Sequence, residues 1–166
     1  DDRDSAEPPS DGADKALEVA AADAGCELAL EQQDEGNRHI SGSKAPKYEA
    51  NPPTSGDHSP NPLADGAYET SPSPLHYIHA LEHGRIQIQY SSDLPEDAQL
   101  ELLGLYDEDR PGMIVFPNDD MPFEVAATAW RQTLGCDSYE GVATLDAIRA
   151  FKAAYRARGP EPIPLG

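Results

Sequence analysis

The stretch from Gly36 to Ser73, GNRHISGSKAPKYEANPPTSGDHSPNPLADGAYETSPS, limits the fold more than any other part of the chain. Its density of Gly, Pro, Ser and Asn excludes a long helix and offers only weak strand signal. So long a segment without regular structure inside a compact domain is either functional or disordered. Because it carries His39, Tyr48, His58 and Tyr68, side chains that pure linkers seldom hold, the expectation is a long, ordered, functional loop.

The regular elements lie around it. A short helix is expected over Ala16–Gly25, closed by its glycine. Ser73 and Pro74 form a helix start, a capping hydroxyl followed by proline at the first helical position, and Gly84 suits the end. RIQIQY then alternates Ile86, Ile88 and Tyr90 with Gln87 and Gln89, the period of a half-buried strand. A helix follows around Pro95–Tyr106. MIVFP and EVAATAW read as further strands, separated by the turn-forming PNDDMP. Thr144 is placed to cap a last helix from Leu145 through Arg158, before Gly159 and Pro160. With 166 residues the chain suits one domain. The fold expected is α+β: a small, mostly antiparallel sheet, long ordered loops and a C-terminal helix. The domain is assigned to 23–166, behind an acidic, largely disordered leader at 1–22.

Lys and Arg number 12 against 31 Asp and Glu, a formal charge of -19, so the long-range field repels phosphate backbones and anionic membrane surfaces. Nucleic acid is therefore not an expected partner. No apolar run approaches the roughly 20 residues that cross a bilayer. The opening DDRDSAEPPSDGADK has neither a basic n-region nor an apolar h-region, so a soluble mature form is expected, with any export signal or anchor outside the sequence. Cys26 and Cys136 have no zinc-finger or C-x-x-C spacing, and are either a long-range disulfide or separate buried thiols.

Chemistry concentrates in SPLHYIHALEHG, Ser73–Gly84. All five histidines of the chain fall between residues 39 and 83. On a helix, His79 and His83 share a face with side chains about 6 Å apart, within reach of one ion; on a strand they would be some 13 Å apart. His76, His79 and His83 occupy one sector, beside that of Leu75, Ile78 and Leu81. HALEH also fits H-x-x-E-H, the pattern in which two histidines hold zinc and the glutamate activates water. The alternative to metal binding is a hydrogen-bonded histidine network, with Glu82 orienting an imidazole.

The blocks NPPTSGDH (Asn51 to His58), GAY (Gly66 to Tyr68) and IHALEHG (Ile78 to Gly84) resemble the bacterial domain-of-unknown-function family 3105, whose members carry PPTSG-x-H, G-x-Y and V-H-N-L-E-H-G. PGM, ATAW, CDS and AYRARGPE, the last ending at Glu161, are also similar, so the resemblance spans about Gly25 to Glu161. It implies an exported or membrane-anchored protein with Cys26 paired to Cys136. It also implies that His39, His58, His79 and His83 are the family histidines, while His76 stands where members have an apolar residue.

Imidazoles serve zinc, copper, iron and nickel alike, whereas a thioether favours copper. The site expected is therefore His58, His79, His83 and Met113, with His39 as a further ligand or the donor of a second site, and Glu82 as an acceptor for an imidazole N–H or a weak ligand. Met113 could equally be core packing. The leading function is an exported copper-binding protein for storage, transfer or buffering, with another exported metal-handling protein as partner. The competing one is a zinc-dependent hydrolase with Glu82 as general base; a third is an interaction domain with structural histidines.

Overall fold

The computed structural model describes residues 4–10 and 14–165. Ten elements occur among them: α1 (Leu17–Ala24), β1 (Cys26–Ala29), β2 (Gly66–Ala67), α2 (Pro74–Glu82), β3 (Ile86–Tyr90), α3 (Glu96–Glu108), β4 (Met113–Pro117), β5 (Val125–Ala129), β6 (Gln132–Cys136) and α4 (Val142–Tyr155). They build an α+β domain around one six-stranded sheet in the order β1-β6-β5-β3-β4-β2. The pairs β1/β6, β6/β5 and β5/β3 are antiparallel, while β3/β4 and β4/β2 are parallel. The parallel step from β3 to β4 is made through α3, because two parallel neighbours need a crossover connection.

Period-two alternation divides the sheet into two faces. Ile86, Ile88, Tyr90, Met113, Val115, Val125, Ala127, Leu134 and Cys136 face α1, α3 and α4 in the main core. Ile114 and Phe116 point the other way and pack with Tyr77, Ile78, Ala80 and Leu81 of α2 and with Trp130. At about 25 cal/mol per Å² of apolar surface, burial of these side chains is the principal stabilising term on both faces.

Several expectations are met with altered detail. β3 is buried along its whole length rather than on one side. Gln87 and Gln89 have no exposed surface because α2 and the 36–73 loop cover the face they occupy. Their amides are satisfied internally: Gln87 Nε2 donates to the Tyr77 carbonyl at 2.6 Å, Gln89 Nε2 to Thr128 Oγ1 at 3.1 Å, and Asn118 Nδ2 to Gln89 Oε1 at 2.8 Å. A buried polar network is tolerable on those terms.

The last helix starts earlier and stops earlier than its sequence signals. Gly141 is its cap residue, and Thr144 lies inside the first turn, where its hydroxyl accepts the Glu140 N–H at 2.8 Å. Arg156 is already extended, and Ala157 adopts φ 64°, which turns the chain back toward α2. The boundary expected at 22/23 falls within α1, whose Leu17, Ala20, Ala21 and Ala24 belong to the main core, so the packed domain reaches back at least to Leu17.

Strands β1 and β6 carry no clear periodic signal, and the β5–β6 hairpin turns on Trp130 and Arg131 without glycine or asparagine. Their pairing sets Cys26 directly opposite Cys136, and the two form a disulfide. The bridge spans 110 positions, so closing that loop removes about 4 to 5 kcal/mol of entropy from the unfolded chain in the simple model. The double variant Cys26→Ala/Cys136→Ala is expected to lose about 2 to 5 kcal/mol of unfolding free energy, measured by urea titration under non-reducing conditions.

Candidate metal centre

Helix α2 forms because Ser73 Oγ accepts the Leu75 N–H at 3.2 Å and Pro74 supplies a pre-set first position. It ends at His83, and Gly84, at φ 87°, donates its N–H to the Leu81 carbonyl at 2.9 Å. One turn of helix brings His79 and His83 together, with Nε2 atoms 3.0 Å apart. Tetrahedral metal bonds of about 2.0 to 2.1 Å place ligand nitrogens about 3.3 Å from each other, so this pair already has close to a chelating bite.

The irregular segment supplies the remaining imidazoles. Residues 36–40 and 56–58 run side by side in parallel: Gly56 N donates to the Gly36 carbonyl at 2.8 Å, His58 N to that of Arg38 at 2.9 Å, and Ile40 N to that of His58 at 2.7 Å. Ser59 N then bonds the Leu75 carbonyl at 2.9 Å, docking the segment on α2. Gly56, at φ 127°, leaves room for the Tyr48 ring, which a Cβ would meet at 2.5 Å. Tyr48 in turn donates its hydroxyl to the Asp57 carbonyl at 2.7 Å. PPTSG is thus the rigid presenter of His58.

The ring nitrogens are oriented by backbone carbonyls. His58 Nδ1 is 2.8 Å from Gly56 O, and His79 Nδ1 is 2.8 Å from Ser59 O. A carbonyl only accepts, so each Nδ1 carries the proton and each Nε2 turns a lone pair inward. His39, His58 and His79 offer nitrogens that all lie within 4.8 Å of one another, and His83 joins them through His79. The ring centroids are 4.7 Å apart for His58 and His79 and 4.9 Å for His39 and His79. His58 is fully buried, edge-on to Trp130 at 6.5 Å, while His39 is exposed.

Glu82 completes the inner wall. Its Oε2 is 3.2 Å from His58 Nε2, yet both atoms are buried without a hydrogen bond. With the His58 proton on Nδ1, two lone pairs face each other, and only a proton or a cation between them relieves the contact. Burial lowers the His58 pKa and raises that of Glu82, so a proton in this position belongs to the Glu82 carboxyl, and a metal cation would take its place. Leaving the atoms unsatisfied costs about 1 to 3 kcal/mol each.

Met113 does not belong to this group. It is fully buried in the main core, on the sheet face opposite α2, because Ile114 and Phe116 are the β4 residues that turn toward the helix. The reading of Met113 as core packing is the correct one. His76 stands apart as well, with Nδ1 at 2.8 Å from Asn61 O. A residue absent from the sequence-based site is Glu161, whose N–H donates to the Glu82 carbonyl at 3.0 Å. The similarity of AYRARGPE to the family was the one signal that pointed to this segment.

Burial pushes the His58, His79 and His83 imidazoles below their ordinary range, so they are neutral, ligand-competent groups at pH 7. Burial first, then contact with Glu161, pushes Glu82 up to about 7. The two effects oppose each other in the ion-free protein. Below the unfolded value of about 6.5 the unfolded histidines take up protons that the folded ones resist, so stability falls with pH. Glu82 holds its proton when folded and releases it near 4.5 when unfolded, so its contribution is full below 4.5 and is lost as pH rises toward 7. With three groups against one, urea midpoints in chelator are expected to drop between pH 7 and pH 5, and Glu82→Gln, which removes the opposing contribution, is expected to steepen the drop.

No curated protein and no solved structure matches this chain. The family model described as "Protein of unknown function (DUF3105)" matches residues 39–164. That span begins at His39 and takes in every residue of the cluster, together with Glu161, while leaving Cys26 outside. The chain belongs to the DUF3105 family.

Proposed function

We propose that this protein is an exported metal-binding protein that holds one transition-metal ion, copper in the first instance, between His39, His58, His79 and His83. The observation that supports it most is the orphaned pair of His58 Nε2 and Glu82 Oε2, buried 3.2 Å apart at the edge of inward-turned imidazoles. Neutral imidazoles with no sulfur donor rank copper above nickel, zinc and iron on intrinsic affinity. Export is supported by the disulfide, which belongs to oxidising compartments. No helix among the described residues is long and apolar enough to cross a membrane. The role is storage, transfer or buffering, with another exported metal-handling protein as donor or acceptor.

Glu82, raised to about 7, has the acidity of a general base, which favours a second reading: a zinc hydrolase. A groove of about 550 Å³ beside His83, walled by Leu63, Ala80, Arg85 and Ile163, is where its substrate would lie.

Both readings are tested on protein purified without an affinity tag. One equivalent of copper per chain is expected, with His58→Ala and His79→Ala each weakening it more than about 100-fold, since even outer partners of ligands are worth 10 to 100-fold. Met113→Leu is expected to leave affinity unchanged. Failure of the native protein to bind any ion more tightly than about 1 mM, roughly 4 kcal/mol, would overturn the proposal. Zinc-dependent turnover of ester or peptide substrates that disappears in Glu82→Gln would replace it with the hydrolase.

A further inference from the structure

The four imidazoles of the centre are not held alike. His58 and His79 are 0% and 5% exposed, and each keeps its Nδ1 on a backbone carbonyl, so neither ring turns without leaving a buried donor and a buried acceptor unpaired. His83 is half-buried and shares a helical turn with His79, their Nε2 atoms 3.0 Å apart, so its own helix would keep it within reach of an ion it had released. His39 differs from all three. It is exposed, and among the described residues no hydrogen bond holds its ring, although its ligand nitrogen lies within 4.8 Å of those of His58 and His79.

The freedom of His39 is confined to its side chain. Its backbone is pinned on both sides: Arg38 N donates to Asp57 Oδ1 at 3.1 Å, the Arg38 carbonyl accepts His58 N at 2.9 Å, and Ile40 N donates to the His58 carbonyl at 2.7 Å. The Cα therefore stays in place while the imidazole can swing out to water and return, a rotamer change that is fast for exposed side chains. An ion held by four ligands passes to another molecule without first being set free only if one ligand gives way on a side that an incoming donor can reach. The inner side is closed, by Glu82 against His58 and by the edge-on contact of His58 with Trp130. The His39 side is open.

We infer that His39 is the exchange ligand of the centre: it leaves the ion first and closes on it last, and the position it vacates is taken by an imidazole of the metal-handling partner. The step is a ligand substitution, in which the bond from the ion to the His39 nitrogen breaks, a bond to the incoming nitrogen forms, and the oxidation state of the ion is unchanged. Because one imidazole replaces another, the donor set is conserved and the exchange runs in either direction. This rests on the metal-binding reading above.

The test uses the whole chain with one equivalent of Cu(II) and free imidazole as the incoming donor, read by visible absorption and electron paramagnetic resonance. His39→Gly is expected to keep Cu(II) with an altered spectrum, and imidazole to restore the native spectrum with a dissociation constant on the order of 1 mM or tighter. His39→Ala, which leaves a similar gap on a stiffer backbone, is expected to behave in the same way. His58→Gly and His79→Gly are expected to lose Cu(II) without recovery, their gaps being closed to solvent, and His83→Gly to need at least about tenfold more imidazole than His39→Gly. Recovery of any of these three at the imidazole concentration that restores His39→Gly, or a His39→Gly spectrum that equals the native one or is unmoved by imidazole, would overturn the assignment of His39 while leaving the metal-binding reading in place. Absence of Cu(II) binding in the native protein would overturn both.

Discussion

The hydrogen bonds from His58 and His79 to the carbonyls of Gly56 and Ser59 are the constraint on which the centre depends. Each fixes a tautomer and a ring plane at once, and both acceptors lie in the same short turn. An imidazole free to rotate would lose the inward lone pair for much of the time. The turn holds because PPTSG is itself immobilised: Thr54 and Ser55 are buried, Tyr48 packs against Gly56, and Arg131 N bonds the Thr54 carbonyl at 3.1 Å. The Gly- and Pro-rich character that forbids regular structure from 36 to 73 is therefore what allows two backbone turns to reach one end of a helix.

The molecule divides its labour between the two faces of the sheet. One face is an ordinary apolar core under α1, α3 and α4. The other combines a smaller apolar cluster with buried Gln87, Gln89 and Thr128, and it carries the polar centre. Unsatisfied acceptors at His58 and Glu82 make this the costly side. The disulfide lies on the main-core side, joining the outermost strand β1 to β6, so the covalent reinforcement and the strained chemistry are separated by the thickness of the sheet.

How much of this was legible depends on how local each feature is. The start and stop of α2, the strands β3, β4 and β5, and the helices α1 and α3 follow from caps and periodicity that act over a few residues. The pairing of His79 with His83 is equally local, being one helical turn. β1 and β6 are not legible because CELA and QTLGC lack a period, and their register is a long-range one that sets Cys26 opposite Cys136. The place of Met113 is hidden for a related reason: alternation shows that it opposes Ile114, but which face α2 covers is a tertiary fact. Glu161 stood alone in a proline-rich tail, and only the folded path of that tail gives it a neighbour.

That path also imposes an order in time. Chains are made from the amino end, and their earlier parts begin to fold first. The imidazoles and Glu82 emerge well before Ala157, Glu161 and Ile163, whose N–H groups fill the carbonyls of Gly84, Glu82 and His83, so the end of α2 is made before the backbone that caps it. The carboxyl end of that helix therefore stays open to water until the chain beyond α4 has been made.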